Sequence, residues 1–423
     1  MYPDFKYVIA YAICIIAVLI IYILRTKRFF NLSFFLLVWW TISGLASCLF
    51  YFFYSPVLDK LNPQAIAYYV VGFLIIVYPL FNFDECRLKT IEVNSYLPII
   101  RKVALLFGLL SIFPLIENVF FIFSHSSLDF FADQHKMLNT GELESHLSFF
   151  SEKLHNFCSH FADLFGLILC ALLVHFRSNQ KYILFLLLAI LEQVANCVAN
   201  GSRGYIVYMI ILVAVSYKLF YNQYNVVFRN RINKYASVGF LAIVSLLSAL
   251  TSVRVADSDV SYLNATEDQA QLVSNSLYLG EAPVRLASYG WTLKAHTNGH
   301  SLFDTVVTII DGVKFKNSDE RRNWVTKKTG IQYPQVFYGL VGFSYIDFGY
   351  WGLIVLLLFN YVFRRYLLFK EHTTFPKLII CVIMIKILIF ATMVFPYCYS
   401  KFYDLIYMYG LFLILNRKKL SYG

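Results

Sequence analysis

The residues best suited to chemistry in this chain begin with an arginine between glycines. It lies in the stretch Asn200-Gly201-Ser202-Arg203-Gly204, which separates two apolar blocks. A guanidinium keeps its charge, and its planar fork can bind two phosphate oxygens at once. The stretch after Gly204 begins a helix, whose first N–H groups favour the same anion. Two interpretations stay open: a phosphate-binding site, or an arginine that reaches lipid head groups from a helix end.

Arg254 raises the same two alternatives. It follows the eighth apolar block and, in the orientation derived below, lies at the outer surface of the membrane. Basic residues are less frequent in short outer loops than in inner ones, which favours a functional role for it. Arg321 and Arg322 follow later in the same polar stretch and could approach a bound anion from there.

Candidate acids and bases gather between residues 281 and 304: Glu281, His296, His300 and Asp304. Each is a candidate general base if it reaches a substrate hydroxyl, and the sequence does not choose among them. His296 and His300 are four residues apart, as metal ligands on a helix can be. The intervening Thr297-Asn298-Gly299 predicts a turn instead, and no third ligand has a suitable spacing. We therefore predict no metal site and no cofactor.

Asp347 is a further candidate base in the glycine-rich run from Gly339 to Gly352. Glycines at this spacing let helices approach closely, which is an alternative explanation for the whole run. The apolar block is longer than one membrane crossing needs, so its first part is expected to be re-entrant or to lie flat. Asp347 would then lie near the interface, where it could pair with Arg203, Arg254 or Lys386.

Ionisable residues inside apolar blocks are costly and are candidates for function. Here they are Glu117, Asp163, Glu192 and Lys386. Lys386 needs an acidic partner, for which Glu192 and Asp163 are the candidates. A structural pair and a functional pair both stay open.

The elements that carry these residues are predicted to be transmembrane helices. Hydrophobic residues make up 59% of the chain and charged residues 14%, against roughly 45–50% and 25% in soluble domains. Apolar blocks fall near residues 7–24, 29–54, 65–81, 103–123, 157–176, 182–199, 205–220, 236–252, 335–363, 376–396 and 402–415. A helix needs about 20 apolar residues to cross a bilayer. The fold class is therefore all-α, a polytopic membrane protein of about 11 transmembrane helices.

The position of the basic residues gives the orientation. The net charge is +11, but its lysines and arginines cluster at the ends of apolar blocks. This distribution is typical of a membrane protein, whereas a nucleic-acid-binding face would be concentrated on one soluble element. The charge bias predicts an outer N-terminus and an inner C-terminus. The eight cysteines show no CxxC motif, which indicates neither a zinc site nor a disulfide framework.

The orientation places residues 253–334 outside as one large loop between helices 8 and 9. Loops of this length are usually functional or disordered, and its tryptophans and tyrosines favour an ordered lid. The predicted organisation is one membrane domain, with helices 1–8 in residues 1–252, the loop in 253–334, and helices 9–11 in 335–423.

Three features together resemble the Wzy-type polymerases of bacterial O-antigen repeat units. The first is Gly201–Gly204 with Arg203 at the start of a helix in the middle of the chain, and the second is the large outer loop that begins at Arg254. The third is Tyr345-Ile346-Asp347-Phe348-Gly349, followed by Gly352, in the helix that closes the loop.

The resemblance implies a glycosyltransferase of the bacterial inner membrane with its active site facing the periplasm. Such enzymes transfer a glycan from undecaprenyl pyrophosphate to another lipid-linked repeat unit. Fixed cations would stabilise the departing diphosphate, and Arg203 and Arg254 are the first candidates, with Arg321 and Arg322 from the loop. The base would come from Asp347 or from the loop. The implied partners are lipid-linked glycans, membrane lipids and a chain-length regulator of the Wzz type.

Two other functions stay open. An O-antigen ligase would use the same donor with lipid A-core as the acceptor. A flippase for the lipid-linked oligosaccharide would not be an enzyme, and would be expected to show repeated halves, which this sequence does not.

Overall fold

The chain is helical throughout most of its length. The computed structural model describes residues 4–125, 145–200, 204–234, 263–315, 318–331, 338–368, 371–394, 396–397 and 401–420. The helices in this part of the chain include, in chain order, α1 (Phe5–Thr26), α2 (Leu32–Tyr54), α3 (Pro63–Val77), α4 (Leu97–Leu110), α5 (Ile112–Ser124), α6 (Phe149–Ser159), α7 (Phe165–Val174), α8 (Phe176–Ala199), α9 (Gly204–Phe220), α10 (Ala270–Arg285), α11 (Asp304–Asp311), α12 (Ser318–Thr329), α13 (Gly339–Phe348), α14 (Gly352–Leu367), α15 (Phe375–Phe390) and α16 (Phe402–Leu420). Two short strands, β1 (Thr90–Glu92) and β2 (His372–Thr374), pair in parallel.

Six helical runs in the described part of the chain are long and apolar enough to cross a membrane. They are Phe5–Thr26, Leu32–Val57, Pro63–Arg87, Phe176–Ala199, Ile206–Gln223 and Gly339–Leu367. Two further pairs of helices pass the same test together but are bent, which raises the number to 8 if each pair is one span. The all-α fold and its apolar helices are therefore confirmed.

Five of the eleven predicted blocks are not among these six runs, and four of the five can be accounted for. The predicted blocks 103–123 and 157–176 are each interrupted, by bends of 41° between α4 and α5 and of 49° between α6 and α7. The predicted block 376–396 contains α15, which has only 16 residues, fewer than the about 20 that a straight crossing needs. The predicted block 236–252 lies outside the described residues.

The chain divides into two compact units. Unit 1 contains residues 1–84, 255–368 and 384–402, and unit 2 contains residues 85–254, 369–383 and 403–423. All the predicted residues between 281 and 347 belong to unit 1.

Within unit 1, α10 packs closely on α2. A Cβ atom added to Gly280 would lie 2.3 Å from the carbonyl oxygen of Ala46, so only glycine permits the approach. The hydroxyl of Ser43 donates to the carbonyl of Leu279 at 2.7 Å. Because α10 belongs to the stretch predicted as a lid, part of that stretch belongs to the helix packing of unit 1.

Two tryptophans of α2 bind the end of α15 in the same unit. The indole N–H groups of Trp39 and Trp40 donate to the carbonyls of Ile389 and Leu388, at 2.8 and 3.1 Å. These carbonyls belong to the last turn of α15, where the helix offers them no N–H partner.

The run from Gly339 to Leu367 is not one straight helix. Gly349 has a φ of +59°, a conformation that favours glycine, and ends α13. A Cβ atom at Gly352 would lie 2.4 Å from the carbonyl oxygen of Ser344. Residues eight apart in a straight helix are separated by about 12 Å. The chain therefore turns between α13 and α14, and the extra length of this apolar block is used in the turn.

Unit 2 also contains close helix contacts at glycines. A Cβ atom at Gly108 of α4 would lie 2.4 Å from the carbonyl oxygen of Phe185 in α8. A Cβ atom at Gly166 of α7 would lie 2.9 Å from the Cα atom of Val213 in α9. Such contacts let helix backbones pack without a side chain between them, as is common in membrane proteins.

We expect Gly280→Ala to destabilise the protein, because the added methyl group must push α10 away from α2. Overpacking of this kind costs about 1–3 kcal/mol, or more where backbone blocks the side chain. Thermal unfolding of the purified full chain in detergent measures the effect. Gly410→Ala is the matched control, since no described atom lies within 4 Å of a Cβ at that position. Equal melting temperatures for the two variants would contradict the close contact.

Candidate functional site

The loop of residues 296–302 is bonded to the C-terminal end of α13. The last carbonyls of a helix have no partner within it. Here the N–H groups of Thr297 and Asn298 donate to the carbonyls of Ile346 and Asp347, both at 3.1 Å. The loop therefore caps the helix at the point where the chain turns.

Asp347 binds the same loop through its side chain. Its carboxylate accepts the N–H groups of Ser301 and Leu302, at 2.8 and 2.9 Å, and the hydroxyl of Thr297. The residue is completely buried, and each carboxylate oxygen has a donor. The sequence offered Asp347 as a base or as a partner for an arginine or lysine. The structure gives it the role of positioning the loop.

Ser301 and Leu302 are held before α11 begins. Ser301 does not cap α11, because that helix begins at Asp304 with Phe303 in the capping position. The N–H of Ser301 is bonded to Asp347 instead.

His300 lies between two carboxylates. Its Nδ1 is 2.7 Å from Asp304 Oδ1, and its Nε2 is 2.8 Å from Asp311 Oδ2. The imidazole is fully buried, with the ring of Trp324 at 4.7 Å and that of Phe315 at 5.8 Å. We call His300, Asp304, Asp311, Phe315 and Trp324 the His300 cluster.

The His300 cluster is arranged to hold and transfer protons. Ionised carboxylates only accept hydrogen bonds, and a neutral imidazole donates only one. To bond both carboxylates, either the imidazole carries two protons or one carboxyl group carries one. A proton can therefore pass between three adjoining groups with little rearrangement.

The same geometry does not suit a shared metal ion. Asp304 and Asp311 approach opposite nitrogens of the ring, so their oxygens cannot converge on one ion with it. In the described part of the chain, no group of three or more histidine, cysteine, aspartate or glutamate residues could hold a metal.

Cations lie beside the cluster on α12. Arg321 directs a guanidinium N–H at the carbonyl of His300, at 3.5 Å. The ammonium of Lys328 is 4.4 Å from the ring centre of Trp324. Arg322 follows Arg321 on this helix and is half-buried. Two of the four arginines predicted to bind pyrophosphate are thus on the helix that packs against His300.

Asp311 is the exposed member of the cluster. Its Oδ1 accepts the N–H of Val313 at 3.0 Å, while Oδ2 faces His300. The Val313 N–H first, and then the His300 imidazole, lower the pKa of Asp311 below its ordinary value. The group therefore stays ionised and accessible at neutral pH.

His296 belongs to the loop and not to the cluster. Its Nδ1 is 3.3 Å from the carbonyl of Ile346, and its Nε2 would lie 2.7 Å from a Cβ at Gly349. The ring therefore covers the turn between α13 and α14. This placement also explains why position 349 has no side chain.

Glu281 is placed on α10, where it pairs with Arg285 at 3.0 Å. The guanidinium of Arg285 lies over the rings of Phe50 and Tyr54, 5.2 and 5.8 Å from their centres. Both charged residues are buried, so this ion pair contributes to the packing of α10 on α2. Of the five predicted acids and bases, Glu281 is in this ion pair, and His296 and Asp347 connect the 296–302 loop with α13. His300 and Asp304 belong to the His300 cluster.

Arg203 and Arg254 lie outside the described residues, and their predicted contact with pyrophosphate stays a prediction.

Unit 2 contains a separate buried polar network on α6 and α8. His155 Nδ1 is 2.7 Å from Glu192 Oε1, and its Nε2 is 3.2 Å from the amide nitrogen of Asn196. Gln193 donates to the other oxygen of Glu192 at 2.6 Å. Glu192, a predicted partner of Lys386, therefore has His155 and Gln193 as partners. In unit 1, the ammonium of Lys386 lies 4.7 Å from the ring centre of Tyr397.

Asp311 and Trp324 were missed as site residues by the sequence analysis. Asp304 and Asp311 are seven residues apart, a spacing that puts two side chains on one side of a helix. That spacing in α11 would have indicated that Asp304 and Asp311 lie on the same side of the helix. Nothing in the sequence places the later helix α12, and hence Trp324, next to His300.

Comparisons with protein families, with curated proteins and with solved structures found no match to this chain.

We expect Asp347→Asn to loosen the 296–302 loop. The asparagine side chain has an NH₂ group in place of one carboxylate oxygen, so the N–H of either Ser301 or Leu302 loses its acceptor. A buried donor without a partner costs about 1–3 kcal/mol. Amide hydrogen exchange of the full chain should show faster exchange at Ser301 and Leu302. Glu371→Gln is the control, because that carboxylate is in an exposed pair with Lys89. Unchanged exchange in Asp347→Asn would contradict the positioning role.

The lowered pKa of Asp311 predicts a pH dependence at Val313. A carboxylate with a depressed pKa stabilises the folded state above its unfolded value, here 3.8, and this contribution is lost as the pH falls through the lower folded value. Protection of the Val313 amide should therefore persist at pH 3.8 and disappear below it, after correction for intrinsic exchange. Asp311→Asn should remove this step.

The Gly312 amide is the internal control for this titration. It donates to the carbonyl of Thr308 at 3.0 Å and does not contact a carboxylate. A loss of protection at Gly312 and Val313 at the same pH would indicate unfolding of α11 and would contradict the local effect.

Proposed function

We propose that this protein is a membrane glycosyltransferase that polymerises undecaprenyl-pyrophosphate-linked repeat units. The full proposal is an eleven-helix protein of the bacterial inner membrane, with the 253–334 segment and its active site on the periplasmic side. The apolar helices support the membrane setting. The resemblance of Arg203, Arg254 and Tyr345–Gly349 to Wzy-type polymerases supports the reaction.

The observation that carries the proposal is His300 held between two carboxylates next to the cations of α12. Polymerisation joins a sugar hydroxyl to the anomeric carbon of the donor. The bond from that carbon to the diphosphate oxygen breaks, the hydroxyl proton goes to a base, and the lipid diphosphate leaves with its charge. The reaction therefore needs a proton acceptor and fixed positive charge in one place.

The cluster can supply the proton acceptor. Asp311 is its exposed member, so we assign to Asp311 the contact with the acceptor hydroxyl. His300 lies directly behind, with Asp304 on its other nitrogen. The ionised carboxylate of Asp311 accepts the proton that leaves the hydroxyl, and His300, which bonds both Asp311 and Asp304, holds that carboxylate in position.

The arginines would stabilise the leaving diphosphate. Arg321 and Arg322 are in place near the cluster on α12, and Arg203 and Arg254 are the further cations that the sequence predicts. A guanidinium is suited to this role because it remains charged and binds two phosphate oxygens. The proposal requires no metal and no cofactor, and the chain-length regulator stays an implied partner.

The two rival functions can be separated by substrate. Purified protein given lipid-linked repeat units alone should lengthen glycans if it is a polymerase. An O-antigen ligase would need lipid A-core as the acceptor. A flippase would move the lipid-linked oligosaccharide without any change in its length.

We expect Asp311→Asn and His300→Gln to lower the rate of chain growth in this assay by roughly 10²–10⁴-fold, the usual contribution of a general base. Arg321→Gln should also slow the reaction, because it removes a charge beside the leaving group. The readout is the distribution of glycan lengths made by each purified, correctly folded variant.

Asn323→Ala is the matched control, since Asn323 is an exposed neighbour on α12. It should leave chain growth unchanged. Normal chain growth by Asp311→Asn would reject the cluster as the active site. Normal chain growth by Arg203→Ala and Arg254→Ala as well would reject the cationic mechanism altogether.

A further inference from the structure

Helix α11 bonds the buried His300 through its two carboxylates and exposes its two isoleucines. Asp304 and Asp311 face the buried His300. Ile309 and Ile310 are each 79% exposed. A surface helix of a soluble protein shows the reverse arrangement, because its apolar side is buried against the core and its charges face water. The medium outside α11 is therefore expected to be apolar.

The exposed side of α11 adjoins a helix with an apolar exposed side of its own. Phe303, directly before α11, stacks on Phe359 of α14 with ring centres 6.5 Å apart. On either side of Phe359, Leu358 and Tyr361 are 61% and 62% exposed. Because α14 belongs to a candidate membrane span, such side chains would face lipid. Phe303 thus joins the start of α11 to the exposed apolar side of α14.

Aromatic residues at the start of α14 indicate where the membrane interface lies. Tyr350 and Trp351, in the turn before α14, are 62% and 75% exposed. Tyrosine and tryptophan are enriched at membrane–water interfaces. Phe359 lies eight residues beyond Trp351, or about 12 Å along a helix. Phe303 therefore contacts α14 within about 12 Å of these aromatic residues.

Basic residues follow directly after α11. Lys314 is three residues beyond its end, and α12 carries Arg321, Arg322, Lys327 and Lys328. Isoleucines on one side and basic residues close by are the two features that hold an amphipathic helix at an anionic membrane surface.

We propose that α11 lies in the membrane interface, with Ile309 and Ile310 in contact with lipid acyl chains. The same short helix carries Asp304 and Asp311, so its contact with lipid fixes the His300 cluster at the boundary between hydrocarbon and water. The inference requires the apolar run Gly339–Leu367 to cross the membrane but does not depend on the proposed glycosyltransferase activity.

Spin labels on the full chain test this inference. The eight native cysteines are replaced by alanine, and a nitroxide is attached to Ile309→Cys, Ile310→Cys or, as the matched control, Asn323→Cys. The protein is reconstituted in vesicles of phosphatidylethanolamine and phosphatidylglycerol. Collision rates are measured with oxygen, which concentrates in hydrocarbon, and with a neutral nickel chelate, which stays in water.

The expected result is that oxygen collisions exceed nickel collisions at positions 309 and 310, with the reverse order at position 323. Nickel collisions in excess at 309 and 310 would overturn the inference, since the isoleucines would then face water. Low collision rates with both reagents would also overturn it, because another protein surface, such as a second copy of this chain, would cover the helix.

A second measurement keeps the test valid if the labelled variants fold poorly. Ile309→Trp and Asn323→Trp retain a bulky side chain at each position, and their fluorescence is compared with that of the unmodified chain in vesicles of brominated lipid. The expected result is extra fluorescence that is quenched for position 309 and unquenched for position 323. Equal quenching at both positions would reject the membrane contact.

Discussion

The structure of the candidate site depends on one buried carboxylate at a helix end. Asp347 accepts the N–H groups of Ser301 and Leu302, while the loop returns N–H groups to the last carbonyls of α13. Charged acceptors make the stronger hydrogen bonds in a protein interior, and a buried carboxylate without such donors would be costly. The loop and the helix end therefore stabilise each other, and neither could keep its conformation alone.

The joint between the 296–302 loop and α13 bears directly on the His300 cluster. It fixes the backbone at Ser301, one residue after His300, so the imidazole enters the space between Asp304 and Asp311. The chain turns at Gly349 before α14 begins, and Phe359 of α14 stacks on Phe303. The short helix α11 therefore carries both carboxylates that bond His300 and the two exposed isoleucines.

Hydropathy predicted the straight helices but did not predict where other helices bend. The blocks predicted at 7–24, 182–199 and 205–220 correspond closely to α1, α8 and α9, because length and apolar content determine such helices. The bends that follow Leu110 and Ser159 cannot be detected from hydropathy averaged over a window of residues. In the site, His300 and Asp304 were candidates from the sequence, since residue type suggests chemistry. The positioning role of Asp347 and the contact of Trp324 with His300 depend on contacts between residues distant in sequence, which no local pattern contains.

The two indole bonds of α2 impose an order on biosynthesis. Trp40 and its acceptor at Leu388 are separated by 348 residues, which a ribosome adding roughly 5–20 residues per second needs about 20–70 s to make. During that interval α2 can already be in the bilayer with two N–H groups that lack their final acceptors. A nascent chain of this protein therefore has to be kept from pairing those tryptophans with foreign carbonyls until α15 emerges.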